Sequence, residues 1–273
     1  MKYSIINTIY NLPFSNYITG FIKKKLLKNN KITFIPTNKK RLPNKSYPVL
    51  NSIEYQEEII NSYNKNNKLS FNTFPDLKFL LKKKFNSDTK FNFLDIGGDK
   101  LDFYLDISKE FKNINYFLIN LPEVNQIVTT LKNRYNYDNL KVLNNLEEIK
   151  NHNYDFVYFG STLQYLDNYE NFINEILQLT KKYVFFSATW FFLNDTSLKK
   201  IVVKQLNYLP KQFYLYFFNL NFIQGMFESQ NFKTEFNEIN DSYSCSFKNF
   251  EKLNIKNIRY TNILFTKNSW LDS

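Results

Sequence analysis

Short apolar runs alternate with amphipathic stretches through the middle of the chain. Phe91–Ile96, Tyr116–Asn120, Tyr154–Gly160 and Tyr183–Ala188 are brief and rich in aromatic or β-branched residues, which predicts buried strands. A weaker strand is expected at Leu140–Leu143. Helical spacing separates them. Leu101, Leu105, Ile107 and Phe111 mark one helix, and Val124, Ile127, Val128 and Leu131 a second that opens at Pro122. Tyr169, Phe172, Ile173, Ile176 and Leu177 mark a third, with Asp167 as its expected N-cap. Strand–helix alternation at this spacing predicts an α/β fold, a parallel sheet with helices on both faces. Ligands of such sheets bind past the carboxyl ends of the strands.

The pattern changes on either side of this core. Residues 194–230 are very aromatic and are expected to form a helical cap. Phe232–Ile239 and Ile258–Thr266 read as two closing strands forming an antiparallel pair. Upstream, residues 51–90 read as a mostly helical extension, with Pro75 and the Lys82–Lys84 run near its end. The expected organisation is an arm over 1–50, a helical extension over 51–90, and an α/β domain over 91–273 that carries the aromatic cap.

Composition excludes several classes. A 273-residue chain that is 43% hydrophobic buries a substantial core, which argues against a disordered protein. One cysteine, Cys245, excludes a disulfide framework, and one Cys with one His excludes a Cys/His metal cluster, so no metal is expected. No apolar run reaches the roughly 18 residues of a membrane span, and the N-terminus has no signal-peptide pattern, so a cytoplasmic location is expected. The 41 Asn and single Ala (Ala188) reflect a bias toward A- and T-rich codons, so Lys and Asn enrichment alone says little about function.

Charge distribution says more. Residues 1–50 hold 10 of the 36 basic residues and none of the 25 acidic ones. The remaining 26 basic and 25 acidic residues bring 51–273 to +1. Within the basic arm, Ile18, Phe21, Ile22 and Leu26 share one helical face, ringed by Lys23, Lys24, Lys25 and Lys28, with Asn16 as a candidate cap. One reading is a helix lying on an anionic membrane surface through residues 1–30; the other is an ordinary surface helix packed on the body. No nucleic-acid motif accompanies the charge, and no nucleic acid is expected as a partner.

The chemistry starts where the first strand ends, at Asp95-Ile96-Gly97-Gly98-Asp99. Glycines there allow a tight turn and close approach of a ligand to the backbone, and the helix that follows offers free N–H groups. Further along come Asn120-Leu121-Pro122-Glu123-Val124, then Gly160-Ser161-Thr162-Leu163-Gln164-Tyr165-Leu166, then Ser187-Ala188-Thr189. Together these segments resemble the class I methyltransferases that use S-adenosylmethionine. The resemblance is closest to a family of methyltransferases found among bacterial surface-polysaccharide genes, carried by Asp95-Ile96-Gly97-Gly98, Leu121-Pro122-Glu123-Val124 and Leu163-Gln164-Tyr165-Leu166. It covers roughly residues 48–268 and leaves the basic arm outside.

The resemblance implies a Rossmann-like methyltransferase fold: a mostly parallel seven-stranded sheet with an antiparallel closing strand, here with an N-terminal helical arm. It implies S-adenosyl-L-methionine as cofactor. Asp95, Gly97 and Gly98 would line its methionine and ribose part, Asn120 would face the ribose hydroxyls, and Leu121 would touch the adenine. Asn145 would sit near the adenine edge, and Gly160, Ser161 and Gln164 would close the floor beneath the sulfonium. Three positions depart from the family pattern. Asp99 and Leu101 stand where further glycines are usual, and Asn120 stands where a carboxylate usually binds the ribose. On that pattern alone, an amide in place of a carboxylate is expected to cost about 1–2 kcal/mol of cofactor binding, on the difference between neutral and charged hydrogen bonds.

No catalytic residue is assigned. Methyl transfer from a sulfonium needs alignment more than acid–base help, although a hydroxyl acceptor benefits from a base. His152, the only histidine, precedes the fourth strand and reads as a surface residue at the wrong edge of the sheet. Asp195, Glu228, Gln164 and Tyr165 are candidates to orient an acceptor. The function implied is transfer of a methyl group to an oxygen, with nitrogen as the second choice, of a small-molecule or glycan acceptor, within surface-polysaccharide biosynthesis. The alternative is a catalytically inactive Rossmann-like module that recruits glycan enzymes at a membrane. A nicotinamide-dependent oxidoreductase fits less well: the first turn lacks the three-glycine fingerprint and the second strand ends in no acid.

Overall fold

The computed structural model describes residues 32–43, 52–67, 69, 75–193, 197–206, 213–239 and 245–270. In chain order the described strands are β1 (Ile32–Pro36), β2 (Phe91–Ile96), β3 (Ile114–Ile119), β4 (Leu140–Leu143), β5 (Tyr154–Gly160), β6 (Thr180–Phe192), β7 (Lys200–Leu206), β8 (Phe213–Asn219), β9 (Phe232–Ile239), β10 (Cys245–Phe247) and β11 (Ile258–Lys267). The helices are α1 (Ile53–Asn66), α2 (Pro75–Lys84), α3 (Leu101–Glu110), α4 (Pro122–Tyr135), α5 (Leu146–Lys150), α6 (Tyr169–Leu179) and α7 (Leu220–Glu228). The chain divides into two compact units.

The larger unit comprises residues 49–189, 223–238 and 261–273. Its strands follow the order β9-β11-β6-β5-β2-β3-β4. β2 pairs in parallel with β3 and with β5, β3 with β4, and β5 with β6. β11 reverses direction and runs against both of its neighbours. Lys267, at the end of β11, donates to the Thr180 carbonyl at the start of β6 (3.0 Å), while Asn262 accepts from the Ala188 N–H further along it (2.9 Å). Likewise Asn268 N–H bonds the Asn231 carbonyl (2.9 Å) and Thr266 bonds Glu235 (2.6 Å), so β9 runs against β11. The seven strands and the antiparallel closing pair are as the sequence predicts.

Aromatic rings fill this unit's core. Phe85 stacks on Phe91 (4.1 Å), Phe93 on Phe156 (5.6 Å), and Phe227 on Phe265 (3.8 Å). Helix ends follow local chemistry. Ser52 caps α1 by accepting from Tyr55 N–H, Pro122 opens α4, and Asn67 and Asn136 close α1 and α4 in left-handed conformations. The expected cap Asp167 is displaced by one residue. Asn168 is the N-cap of α6 and makes no side-chain cap bond there.

The smaller unit comprises residues 1–48, 190–222 and 239–260. Here β1 pairs with β10 in parallel and with β7 in antiparallel fashion, and β7 pairs antiparallel with β8. Phe34, Trp190, Phe217, Phe247 and Phe250 pack as its aromatic core, with ring centroids 4.8–5.8 Å apart along the chain of contacts. The helical cap expected over 194–230 is therefore corrected: its described residues include the strands β7 and β8, followed by α7. Phe213–Phe218 is a continuous apolar run, which periodicity cannot assign to helix or strand, and the β-branched Ile201-Val202-Val203 favours the sheet. The arm is corrected as well, because its residues 32–36 form a strand. Its predicted helix around 16–28 lies outside the described residues, as does Asp195. The expected 91–273 domain likewise gives up 190–222 and 239–260 to the smaller unit.

Charge divides by unit. The smaller unit's sequence holds 18 basic and 3 acidic residues, +15; the larger holds the other 18 basic and 22 acidic, −4. Both share one codon bias, so that bias does not produce the split.

Candidate functional site

The carboxyl ends of β2, β3 and β5 meet within the larger unit, and the predicted residues at those ends interlock. Past Ile96 the chain turns through Gly97, whose φ of +83° is left-handed and suits glycine. Its N–H holds the Ile119 carbonyl at 2.7 Å. The space a Cβ would need at Gly97 is occupied by Thr162, whose Oγ1 would lie 2.1 Å away. At Gly98 the same space is filled by Asp95, whose Oδ2 would lie 2.1 Å from a Cβ. The two glycines are thus required by packing from both sides.

Asp95 folds beneath the turn and is only 2% exposed. Its Oδ2 accepts from the Tyr116 hydroxyl at 2.6 Å, while Oδ1 has no hydrogen-bond partner. Burial pushes its carboxyl up to about 7, with the Tyr116 bond opposing and nearby Asp99 adding to the rise. Burial, reinforced by Asp95, holds the Tyr116 phenol well above its ordinary range.

Asn120 sits at the end of β3 and turns its amide onto the loop. Nδ2 donates to the Gly98 carbonyl (2.8 Å), and Oδ1 accepts from Leu121 N–H (2.7 Å). Buried Asn125 braces this corner by accepting from Asn120 N–H (2.9 Å) and donating to the Leu143 carbonyl (2.8 Å). Leu121 stands at the rim, 46% exposed. Asn145 makes no hydrogen bond to these residues: it is exposed and caps α5, accepting from Glu148 N–H at 2.9 Å.

The end of β5 supplies the other wall. Ser161 takes a positive φ of 58°, its N–H bonds the Ser187 carbonyl (3.0 Å), and its hydroxyl bonds the Ala188 carbonyl (3.2 Å). Gln164 is 3% exposed and donates to Ser161 Oγ (3.0 Å), leaving its own Oε1 without a partner. Among the described residues, Asp95 Oδ1 and Gln164 Oε1 are thus two buried acceptors lacking donors, at the ends of the adjacent strands β2 and β5. Such groups are costly unless something satisfies them.

Sequence reasoning missed several contributors. Tyr116, Thr162, Asn125 and Asn262 read as ordinary strand, loop and helix residues. Gln56, on α1, bonds the backbone at Asp99 and Leu101. Its signal was present: Gln56, Ile59, Ile60 and Tyr63 form one buried stripe with a single polar member. Leu101, where a further glycine is usual, is fully buried within the hydrophobic core. His152 lies half-buried against the Phe117 ring (4.6 Å), before the start of β5 and away from the rim. Glu228 is exposed, and Cys245 is half-buried with burial raising its thiol to about 11.

No family model matches the chain, and no curated protein matches it in sequence. Solved structures do resemble it. The N-terminal domain of EvdMO1, determined in the presence of S-adenosylhomocysteine and D-fucose, superposes with a TM-score of 0.50 at 9% identity, over 78% of this chain and 95% of that one. The 1,6-didemethyltoxoflavin-N1-methyltransferase of Burkholderia thailandensis gives 0.48 at 12% identity, over 85% and 93%. Magnesium protoporphyrin IX methyltransferase from Synechocystis PCC 6803 gives 0.47 at 11%, over 91% and 94%. The strand order of the larger unit and this likeness agree: the chain has the Rossmann-like methyltransferase fold, a mostly parallel sheet with antiparallel strands at its edge.

Proposed function

We propose that the rim around Gly97 and Gly98 binds S-adenosyl-L-methionine and that the protein is a methyltransferase. The observation that carries this reading is the pair of buried, unsatisfied acceptors, Asp95 Oδ1 and Gln164 Oε1, at the carboxyl ends of neighbouring strands. A carboxylate and an amide oxygen suit a cationic ligand with an ammonium group. The cofactor, when bound, supplies an electrophilic methyl group on a sulfonium.

The chain's own residues then have distinct tasks. Asp95 and Gln164 accept hydrogen bonds from the methionine end, and Gly97 and Gly98 let the ligand approach the backbone. Gly160 and Ser161 form the floor. Leu121 offers its exposed side chain to the adenine, and Asn145 stands toward the adenine edge. Asn120 shapes the loop through Gly98 and turns its second amide hydrogen to the ribose. Alignment of acceptor and methyl group is the main catalytic contribution, and no general base is assigned.

The acceptor in this reading is the oxygen of a small molecule or glycan, within surface-polysaccharide biosynthesis, as the sequence resemblance implies. The +15 of the smaller unit supports an anionic partner, and residues 1–30 would supply peripheral attachment to an anionic membrane surface. No described helix is long and apolar enough to cross a membrane. The test is incubation with methyl-labelled S-adenosylmethionine and fractionated cell extract. Label should appear in a glycan or small-molecule fraction; its absence from every fraction would overturn the assignment as an enzyme.

A further inference from the structure

We propose that Gln56, on helix α1, is the positioning residue of the glycine loop, holding it in its ligand-ready shape; this rests on the reading of the rim as an S-adenosylmethionine site. Helix α3 begins at Leu101, and its N-cap, Lys100, makes no side-chain cap bond. A helix start leaves backbone N–H groups that need an acceptor. Gln56 supplies one from 45 residues upstream: its Oε1 accepts from Leu101 N–H at 3.1 Å. Its Nε2 donates to the Asp99 carbonyl. One planar amide therefore grips the loop at two points, on either side of Lys100.

The grip is rigidly mounted. Gln56 is 0% exposed, and the same helix is tied to α3 further along, where the Tyr63 hydroxyl donates to Asp106 (3.0 Å). Lys109 donates to Asn67, just past the end of α1, at 2.9 Å. The family's extra glycines are absent here, replaced by Asp99 and Leu101. A loop with fewer glycines has fewer backbone conformations available. The clamp selects among those that remain, which makes α1 part of the site although it lies outside the strand–helix core.

The experiment compares the wild-type chain with Gln56→Ala and Gln56→Glu, by hydrogen exchange at the Leu101 amide and by calorimetric titration with S-adenosylhomocysteine. Gln56→Ala should speed exchange at Leu101, leave Ile107 unchanged, and weaken binding about tenfold, the loss expected for a buried hydrogen-bonding group. Gln56→Glu keeps the acceptor for Leu101 but, when ionised, cannot donate to the Asp99 carbonyl. Relative to the wild-type chain at the same pH, it should bind as weakly as the alanine variant at pH 8 and recover at pH 5.5, where protonation restores the donor; the alanine variant should show no such relative recovery. Unchanged exchange in Gln56→Ala would overturn the clamp, and faster exchange with undiminished affinity would overturn its link to the ligand. If the wild-type chain bound no S-adenosylhomocysteine, the cofactor reading would fall, while the exchange data would still decide the clamp.

Discussion

Replacing Asp95 with Asn isolates the cost of keeping a carboxyl group beneath the glycine turn. Burial raises that carboxyl from 3.8 to about 7. At about 1.4 kcal/mol per unit of pKa, the difference of roughly 3 units costs the fold about 4 kcal/mol once the group is forced to ionise. The sign follows from the raised value. Below about pH 4 the carboxyl is protonated folded and unfolded, and the cost is absent. As pH rises toward 7 the unfolded chain releases its proton first, so stability falls; above about 7 the loss is complete. On this linkage about 2–3 kcal/mol of the loss falls between pH 5 and pH 8. Asn has nearly the same shape and can still accept from Tyr116, but it does not titrate. Urea denaturation of both proteins at pH 5, 6, 7 and 8 should therefore show their stability difference shifting toward the variant by about 2–3 kcal/mol as pH rises. For a chain of this size that is roughly 5–10 °C in Tm. Parallel pH profiles for the two proteins would refute the burial argument.

Three other substitutions test separate parts of the account. Gly98→Ala should cost about 1–3 kcal/mol through overpacking against Asp95 Oδ2, and adding Asp95→Ala should recover at least about 1 kcal/mol in a thermal-denaturation double-mutant cycle. Asn120→Asp, which restores the carboxylate usual at a ribose site, should weaken S-adenosylhomocysteine binding in calorimetry rather than strengthen it. The new side chain cannot donate to the Gly98 carbonyl, and it sets charge beside that oxygen. Phe227→Ala should cost about 3–5 kcal/mol in denaturant unfolding, because the ring is fully buried and stacked on Phe265.

The strand–helix core could be read from sequence because its signals are local. Phe91–Ile96 and Tyr154–Gly160 are bounded apolar runs, and both strands appear with those limits. The helix opening at Pro122 follows from proline's fixed backbone angle. The closing pair, Phe232–Ile239 and Ile258–Lys267, shows the same clarity. What misled was the aromatic stretch of the smaller unit. In Phe213–Phe218 every residue is apolar, so the two-residue period of a strand disappears, although Tyr214 alone is left half-buried in the folded chain.

The site was legible by position and not by partner. Asp95, Gly98, Asn120, Ser161 and Gln164 do gather at one rim, yet what each does there depends on residues far away in sequence. Asn120 serves Gly98 22 positions earlier, and Tyr116 holds Asp95 21 positions away. Gln56 acts across more than 40 positions, from a helix whose apolar stripe gave only a faint hint of its role. Asn145 illustrates the converse: a local cap bond to Glu148 accounts for its side chain.

Calorimetric titration of the full chain with S-adenosylhomocysteine at pH 6 and pH 7.5 bears most directly on the proposed cofactor site. The ligand's ammonium would pair with ionised Asp95, whose carboxyl titrates at about 7. Saturable binding that strengthens by about eightfold from the lower pH to the higher is the result predicted, by linkage to that group. No detectable heat of binding at millimolar ligand at either pH would contradict the account.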